Sequence, residues 1–198
     1  VHMLMFKCYK VEKGDTILVH AAAGGVGSIM CQWANALGAT VIGTVSTDEK
    51  AEKASKNGCH HPINYSKEDF AARVSEITSG AGVPVVYESI GKKTYQKSMD
   101  CLSNFGVLVN YGNASGPIPA IEPLDLMRRG SLALSRPTLF NYISNPKVRQ
   151  NVANDLFEVV ASGKVIIEIG QTYPLSETKA AHVALEARQT TGSTVLIP

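Results

Sequence analysis

A chain of 198 residues is long enough for one α/β domain and part of a second. Its 44% apolar and 18% charged residues suit a packed globular core, and a formal net charge of +2 is too small to argue for a nucleic-acid partner. The apolar runs are strand-sized, so no segment reads as a membrane-spanning helix, and the first ten residues, VHMLMFKCYK, lack a secretory cleavage pattern. Cys8, Cys31, Cys59 and Cys101 are scattered without a C-x-x-C pair, which argues against a disulfide framework or a cysteine zinc site and for reduced thiols in a cytoplasmic setting.

Val1 to Lys10 reads as a helix with Leu4, Met5 and Cys8 on one face. Thr16 to Gly38, TILVHAAAGGVGSIMCQWANALG, is the most informative stretch. The apolar run Ile17-Leu18-Val19 predicts a buried strand, and Ile29, Met30, Trp33, Ala34 and Leu37 predict a helix that Gly38 stops. Between them, Ala21-x-x-Gly24-x-x-Gly27 is a glycine fingerprint with Ala in the first place. Gly24, Gly25 and Val26 would bring backbone N–H groups at a helix N-terminus up to a pyrophosphate, and Gly27 would let helix and strand pack closely.

Further strands are predicted at Thr40–Val45, Ile63–Tyr65, Val83–Ser89, Gly106–Gly112 and Ser131–Ser135. Helices are predicted between them: one from a capping box at Ser46–Glu49 through Lys56, one over Lys67–Thr78, and one over Thr94–Leu102. A loop bearing Gly116, Pro117, Pro119 and Pro123 follows the fifth strand. This alternation predicts an α/β fold with a doubly wound parallel sheet, whose ligand sits at the carboxyl ends of the strands. Ser46, Tyr65, Ser89 with its neighbour Ile90, and Tyr111-Gly112-Asn113 all fall at those ends. Beyond Arg136 the pattern changes to helix 154–161, strand 165–169, helix 176–188 and strand 194–197, too little to make a core alone. Val165, Ile167 and Ile169 are expected to lie exposed there.

His20, His60, His61 and His182 have no Cys or Glu at metal spacing and read as core or surface histidines, so no metal site is expected. No Ser-His-Asp set has a nucleophile-elbow context, and no catalytic residue is assigned.

The motifs AAAGGVG, CQWANALGATVIGTVSTDEK, HHPINY, YESIGK, YGNASGP, SRPTLF, ASGKV, YPL and TTGSTVLIP together resemble the zeta-crystallin-type quinone oxidoreductases, in the zinc-free branch of the medium-chain dehydrogenases/reductases. The resemblance implies a Rossmann domain over residues 1–146, with its connecting helix, and a segment 147–198 that would complete a catalytic lobe. It also implies that the N-terminal part of that lobe is missing, so the chain alone is expected to turn over quinone weakly. The implied reaction is hydride transfer from NADPH to a quinone. The alternatives are an enone or enoyl double-bond reductase of the same superfamily, and a non-catalytic dinucleotide-binding protein, RNA-binding or structural.

An NAD site places an acid at the end of the second strand. Here that place holds Ser46, with Lys50 four residues on; a hydroxyl and an ammonium suit the 2′-phosphate of NADPH. Asp48 is the competing acid, though a first-turn acid is also favoured by the helix dipole. The resemblance gives Ser46, Lys50 and Tyr65 the same role. It places Tyr111, Gly112 and Asn113 on the nicotinamide side and the Pro137–Phe140 segment, with Leu139, at the cleft mouth. Arg188 reads equally as a phosphate ligand or a last-turn cation. The sheet edge at Ser131–Ser135 carries no charge or proline and is expected to pair with a twin in a homodimer.

Overall fold

Strands rich in Val and Ile alternate with amphipathic helices, and in the computed structural model, which describes residues 1–187 and 189–198, they form the expected layers. In chain order these are β1 (Thr16–Val19), α1 (Gly25–Ala36), β2 (Thr40–Val45), α2 (Asp48–Lys56), β3 (His61–Asn64), α3 (Phe70–Ile77), β4 (Val83–Glu88), α4 (Tyr95–Asp100), β5 (Leu102–Asn110), α5 (Pro123–Arg128) and β6 (Ala133–Ser135). The six strands are all parallel, in the order β3-β2-β1-β4-β5-β6. This is the doubly wound Rossmann order, and its switch point lies between β1 and β4.

The period of two along each strand divides the core between the two faces of the sheet. Ile17, Val19, Val41, Val45, Val85 and Tyr87 face α1, α2 and a short π-helix, Leu4–Cys8. Leu18, Ile42, Ile63, Val86 and Leu108 face the opposite way, against Phe70 and Val74 of α3 and Met99 of α4. Met30 and Trp33 anchor α1 to the first layer; each large side chain buried in this way contributes about 1.5–3 kcal/mol.

The remainder is α6 (Leu139–Tyr142), α7 (Pro146–Ala161), β7 (Ile169–Pro174), a 3₁₀ turn, α8 (Thr178–Glu186) and β8 (Ser193–Ile197). β7 and β8 pair in parallel as a separate two-stranded sheet. Side chains tie this segment to the larger unit. Gln32 of α1 donates to Ile166 C=O at 3.1 Å and accepts from Ile166 N–H at 2.8 Å. Lys53 of α2 reaches Thr191 at 2.8 Å and Glu168 at 3.0 Å.

Five local expectations are corrected. The strand expected at 165–169 starts only at Ile169, because Gln32 occupies the backbone groups of Ile166 as a strand neighbour would. Val165 is 0% exposed rather than open, packed in the core with Val159; Ile167 and Ile169 are exposed as expected. The second helix is capped by Thr47, whose hydroxyl accepts from Lys50 N–H at 3.3 Å, and not by Ser46. The third helix starts at Phe70 rather than Lys67, because Asn64 closes a turn over residues 64–68 and Asp69 caps the helix through Ala71 and Ala72. The proline-bearing loop contains α5, with Pro123 in its first turn, where the missing N–H costs nothing.

Candidate nucleotide site

The glycine turn joins β1 to α1 at the switch point. Ala21 takes φ +53°, a left-handed conformation that costs an L-residue about 1–2 kcal/mol and reverses the chain sharply. Gly24 is the N-cap of α1 and offers no capping side chain. The first-turn N–H groups of Gly25, Val26 and Gly27 therefore have no intrahelical acceptor, and with the helix dipole they form an anion cradle. A Cβ at Gly27 would lie 2.3 Å from Ala21 O and 2.8 Å from Ala22 Cα, which only glycine avoids. The turn is met from outside by Gly192, whose N–H donates to Ala23 C=O at 3.3 Å.

A cavity of about 240 Å³ opens beside this turn and gathers Gly24, Ser46, Tyr65 and Ile90 from four different connections and Lys50 from the start of α2. Leu185 and Thr190 of the C-terminal segment complete its wall. Ser46 and Lys50 are half-buried, and Tyr65 follows β3 directly. Asp48 and Glu49 stand in the first turn of α2 but do not line the cavity, and Asp48 is engaged elsewhere: it accepts from Asn64 Nδ2 at 2.7 Å and pairs with Lys67. Lys67 and then Asn64 hold its carboxyl below the usual range.

The other expected residues take different places. Ser89 and Ile90 follow β4, and Gly112 packs so tightly on that turn that a Cβ would meet Ser89 O at 2.6 Å. Burial pushes the Tyr111 hydroxyl up to about 12. Asn113, its amide turned to satisfy both groups, donates to Gly112 O at 2.8 Å and accepts from Arg136 at 3.3 Å; the two share a second cavity with Leu134. Leu139 lines a third cavity, with His2, Ile29 and Leu156. Val26 is exposed at the start of α1. Arg188 lies outside the described residues.

Two features of the site were not found in the sequence. Leu185 and Thr190 reach it only through tertiary docking. The second feature is a buried polar cluster at the ends of β1, β2 and β4. His20 is 1% exposed and Glu88 0%. His20 Nδ1 lies 2.8 Å from Thr44 Oγ1 and Nε2 lies 2.9 Å from Ser98 Oγ, which in turn donates to Glu88 at 2.6 Å. Burial pushes the His20 pKa down more than Glu88 raises it, so the imidazole is neutral and its 3.5 Å approach to Glu88 is not an ion pair. The available signal was an acid inside an otherwise apolar strand, VPVVYES.

Among known proteins, a 2-haloacrylate reductase of a Burkholderia species is 54% identical over 98% of this chain, and quinone oxidoreductase 1 of Escherichia coli is 44% identical over 100% of it. The chain spans 59% and 61% of the length of these two curated relatives. It superposes on the crystal structure of Escherichia coli quinone oxidoreductase complexed with NADPH with a TM-score of 0.97 at 44% identity, covering 100% of this chain and 61% of that one. Residues 25–162, from the first helical glycine to the residue that caps α7, match the family described as zinc-binding dehydrogenase. That match covers well over half of the chain, and on it the chain belongs to the zinc-binding dehydrogenase family.

Proposed function

We propose that this chain is the NADPH-binding part of an oxidoreductase that reduces a quinone. The observation that carries the cofactor choice is the corner formed by Ser46 and Lys50, with Asp48 turned away to Asn64 and Lys67. A 2′-phosphate placed there would meet a hydroxyl and an ammonium, and among the described residues lining the cavity no carboxylate. The relatives named quinone oxidoreductase, and the one solved with NADPH, support the same reading.

NADPH, when bound, supplies a hydride. The chain's own residues bind and orient it. The α1 N-terminus, through Gly24, Gly25 and Val26, takes the pyrophosphate. Ser46, Lys50 and Tyr65 take the adenosine end, with Ile90 as an apolar wall. Ser89, Tyr111, Gly112 and Asn113 line the nicotinamide side, and Leu139 stands at the cleft mouth. We divide the chain into a dinucleotide-binding domain over residues 1–146 and a segment over 147–198 that completes a catalytic lobe. The setting is the cytoplasm, and the assembly is a homodimer through β6.

The family name implies zinc, but the residues present do not offer it a site. Among the described residues no three His, Cys, Asp or Glu side chains converge, and no step is assigned to a metal. Among the same residues no helix is long and apolar enough to cross a membrane.

A second reading, reduction of an activated carbon–carbon double bond, is favoured by the 54% identity to a 2-haloacrylate reductase. Calorimetric titration with NADPH and NADH tests the cofactor. Oxidation of NADPH with a simple quinone against 2-chloroacrylate, in protein extended to the length of the relatives, separates the two substrate classes. Equal affinity for the two nucleotides overturns the cofactor choice, and turnover of chloroacrylate alone overturns the quinone.

A further inference from the structure

Glu88 closes β4 with a carboxylate that is fully buried. Its Oε1 accepts from the N–H groups of Ile90 at 2.7 Å and Gly91 at 3.0 Å. Its Oε2 accepts from Thr94 Oγ1 at 2.9 Å and Ser98 Oγ at 2.6 Å. Four donors saturate the group, and among the described residues no Lys or Arg pairs with it. Taking a carboxylate out of water is costly even when its hydrogen bonds are made, and an apolar side chain would fill the same space more cheaply. The charge therefore calls for a purpose other than stability.

That purpose is visible in what it holds. Ile90 and Gly91 form a tight turn in which Gly91 takes φ +91° and a Cβ would lie 2.4 Å from Gly116 O. From the far side, Ser115 N–H and Oγ both donate to Ile90 C=O, at 2.7 and 2.8 Å. The turn is thus clamped at its N–H groups by Glu88 and at its carbonyl by Ser115. Ile90 forms a wall of the 240 Å³ cavity beside the glycine turn and of the adjoining 270 Å³ cavity, which His20, Thr44, Tyr65 and Thr94 also line.

Proton accounting extends the clamp to the opposite wall. The Ser98 hydroxyl has one proton, and it goes to Glu88 at 2.6 Å. His20 Nε2 must then donate to Ser98, and Nδ1 must accept from Thr44. His20 immediately precedes Ala21, where the glycine turn begins. One continuous run of hydrogen bonds therefore links the start of the phosphate turn, the end of β2, and the Ile90–Gly91 turn.

We propose that Glu88 is a positioning residue for cofactor binding: its carboxylate sets the Ile90–Gly91 turn as the rigid wall against the adenosine end of the nucleotide, and the Ser98–His20–Thr44 run fixes that wall relative to the glycine turn. The proposal rests on the reading of this cleft as the NADPH site.

The test is Glu88→Gln, followed by amide-resolved NMR and by titration with NADPH, adenosine 2′,5′-bisphosphate and reduced nicotinamide mononucleotide. In the wild-type chain without nucleotide, the Ile90 and Gly91 amide protons should resonate downfield and exchange slowly. In Glu88→Gln they should shift and exchange faster, and NADPH and the adenosine bisphosphate should each bind about tenfold more weakly, the loss of one charge-assisted hydrogen bond. Binding of the mononucleotide should not change. A merely structural role would lower the melting temperature and leave affinity in the folded protein as it was; that result overturns the proposal, as does equal weakening of all three ligands. If Glu88→Gln does not fold, Glu88→Asp, which draws the oxygens back by one methylene, carries the same expectations. Fast exchange of both amides in the wild-type chain overturns the proposal without any variant. Failure of the wild-type chain to bind NADPH, with the two amides still protected, overturns the cofactor reading and the proposal with it; an effect missing only in the variant overturns the proposal alone.

Discussion

Asp48 Oδ1 accepts a hydrogen bond from Asn64 Nδ2 at 2.7 Å, and this contact turns the first acid of α2 away from the place of a 2′-phosphate. Asp48 stands in the first turn of α2, where a carboxylate is stabilised by the helix dipole, and its pairing with Lys67 points it at the end of β3. Thr47 rather than Ser46 caps the helix, so the Ser46 hydroxyl is not spent on the cap. Lys50→Ala should then weaken NADPH by roughly 1.5–3 kcal/mol, as for a charge-assisted hydrogen bond, and leave NADH nearly unchanged. Calorimetry decides it, and a parallel loss for both nucleotides would show that Lys50 does not read the phosphate.

Gly27 gives a sharper expectation. Alanine there would place a methyl carbon 2.3 Å from Ala21 O, inside any van der Waals contact, and the atom it meets is backbone. The β1–α1 turn must open for it to fit. Gly27→Ala should therefore cost stability by about 1–3 kcal/mol, the range for overpacking a well-packed site, and abolish measurable nucleotide binding. By contrast Ala21→Gly removes a left-handed strain and should leave the fold intact. Thermal melts and fluorescence titration of the pair provide the check; normal NADPH affinity in folded Gly27→Ala would refute the close-approach argument.

The sheet was legible because its signals are local. Thr40–Val45 has the β-branched run of a buried strand and is found with those limits. The third helix was placed three residues early because the turn made by the Asn64 side chain competes with helix start, and side chain–backbone competition is not visible in hydrophobic period. The strand expected at Val165 failed for a tertiary reason: Gln32, 134 residues away from Ile166, takes up its backbone groups. Of the candidate site, the glycine turn and the placing of Ser46 and Lys50 together at the end of β2 could be read directly. Glu88 could not, since nothing in VPVVYES says that the donors for its carboxylate come from residues 90 to 98.

Buried His20 gives the chain a pH dependence with a definite sign. Burial lowers its folded pKa below the ordinary 6.5, with Glu88 acting against that. The groups facing it are Glu88, Thr44, Ser98 and the Phe70 ring, whose centroid lies 5.1 Å away; Glu68, Asp69, Lys93 and Lys97 line the adjoining cavity. The unfolded chain takes up the proton first on acidification. Its contribution to stability is therefore complete above about pH 6.5 and is lost as pH falls from there toward the folded value. Carboxylates titrate lower, near pH 4, so the window is separate. Melting temperatures of wild type and His20→Asn, followed from about pH 7.5 to about pH 5.5, should show a decline in the wild type that the variant largely lacks. Parallel curves would mean that His20 is not the group responsible.

The last expectation concerns the sheet edge. β6 pairs with β5 through Val107–Ala133, Leu108–Leu134 and Val109–Ser135, and its other side carries the free backbone groups of an edge. Leu134 is 41% exposed at its centre, and Ala133 is exposed beside it. No charge or proline interrupts the strand; Arg136 and Pro137 come only after it ends. Two such edges meeting across a two-fold axis would continue the sheet antiparallel from one copy into the next. Light scattering should accordingly report a dimer at tens of micromolar, and Leu134→Lys should shift the equilibrium toward monomer by placing two like charges close together across the axis. A wild-type monomer over the whole concentration range rules the edge out. A dimer that survives Leu134→Lys moves the contact elsewhere, and the exposed Ile167 and Ile169, just before and at the start of β7, become the residues to substitute next.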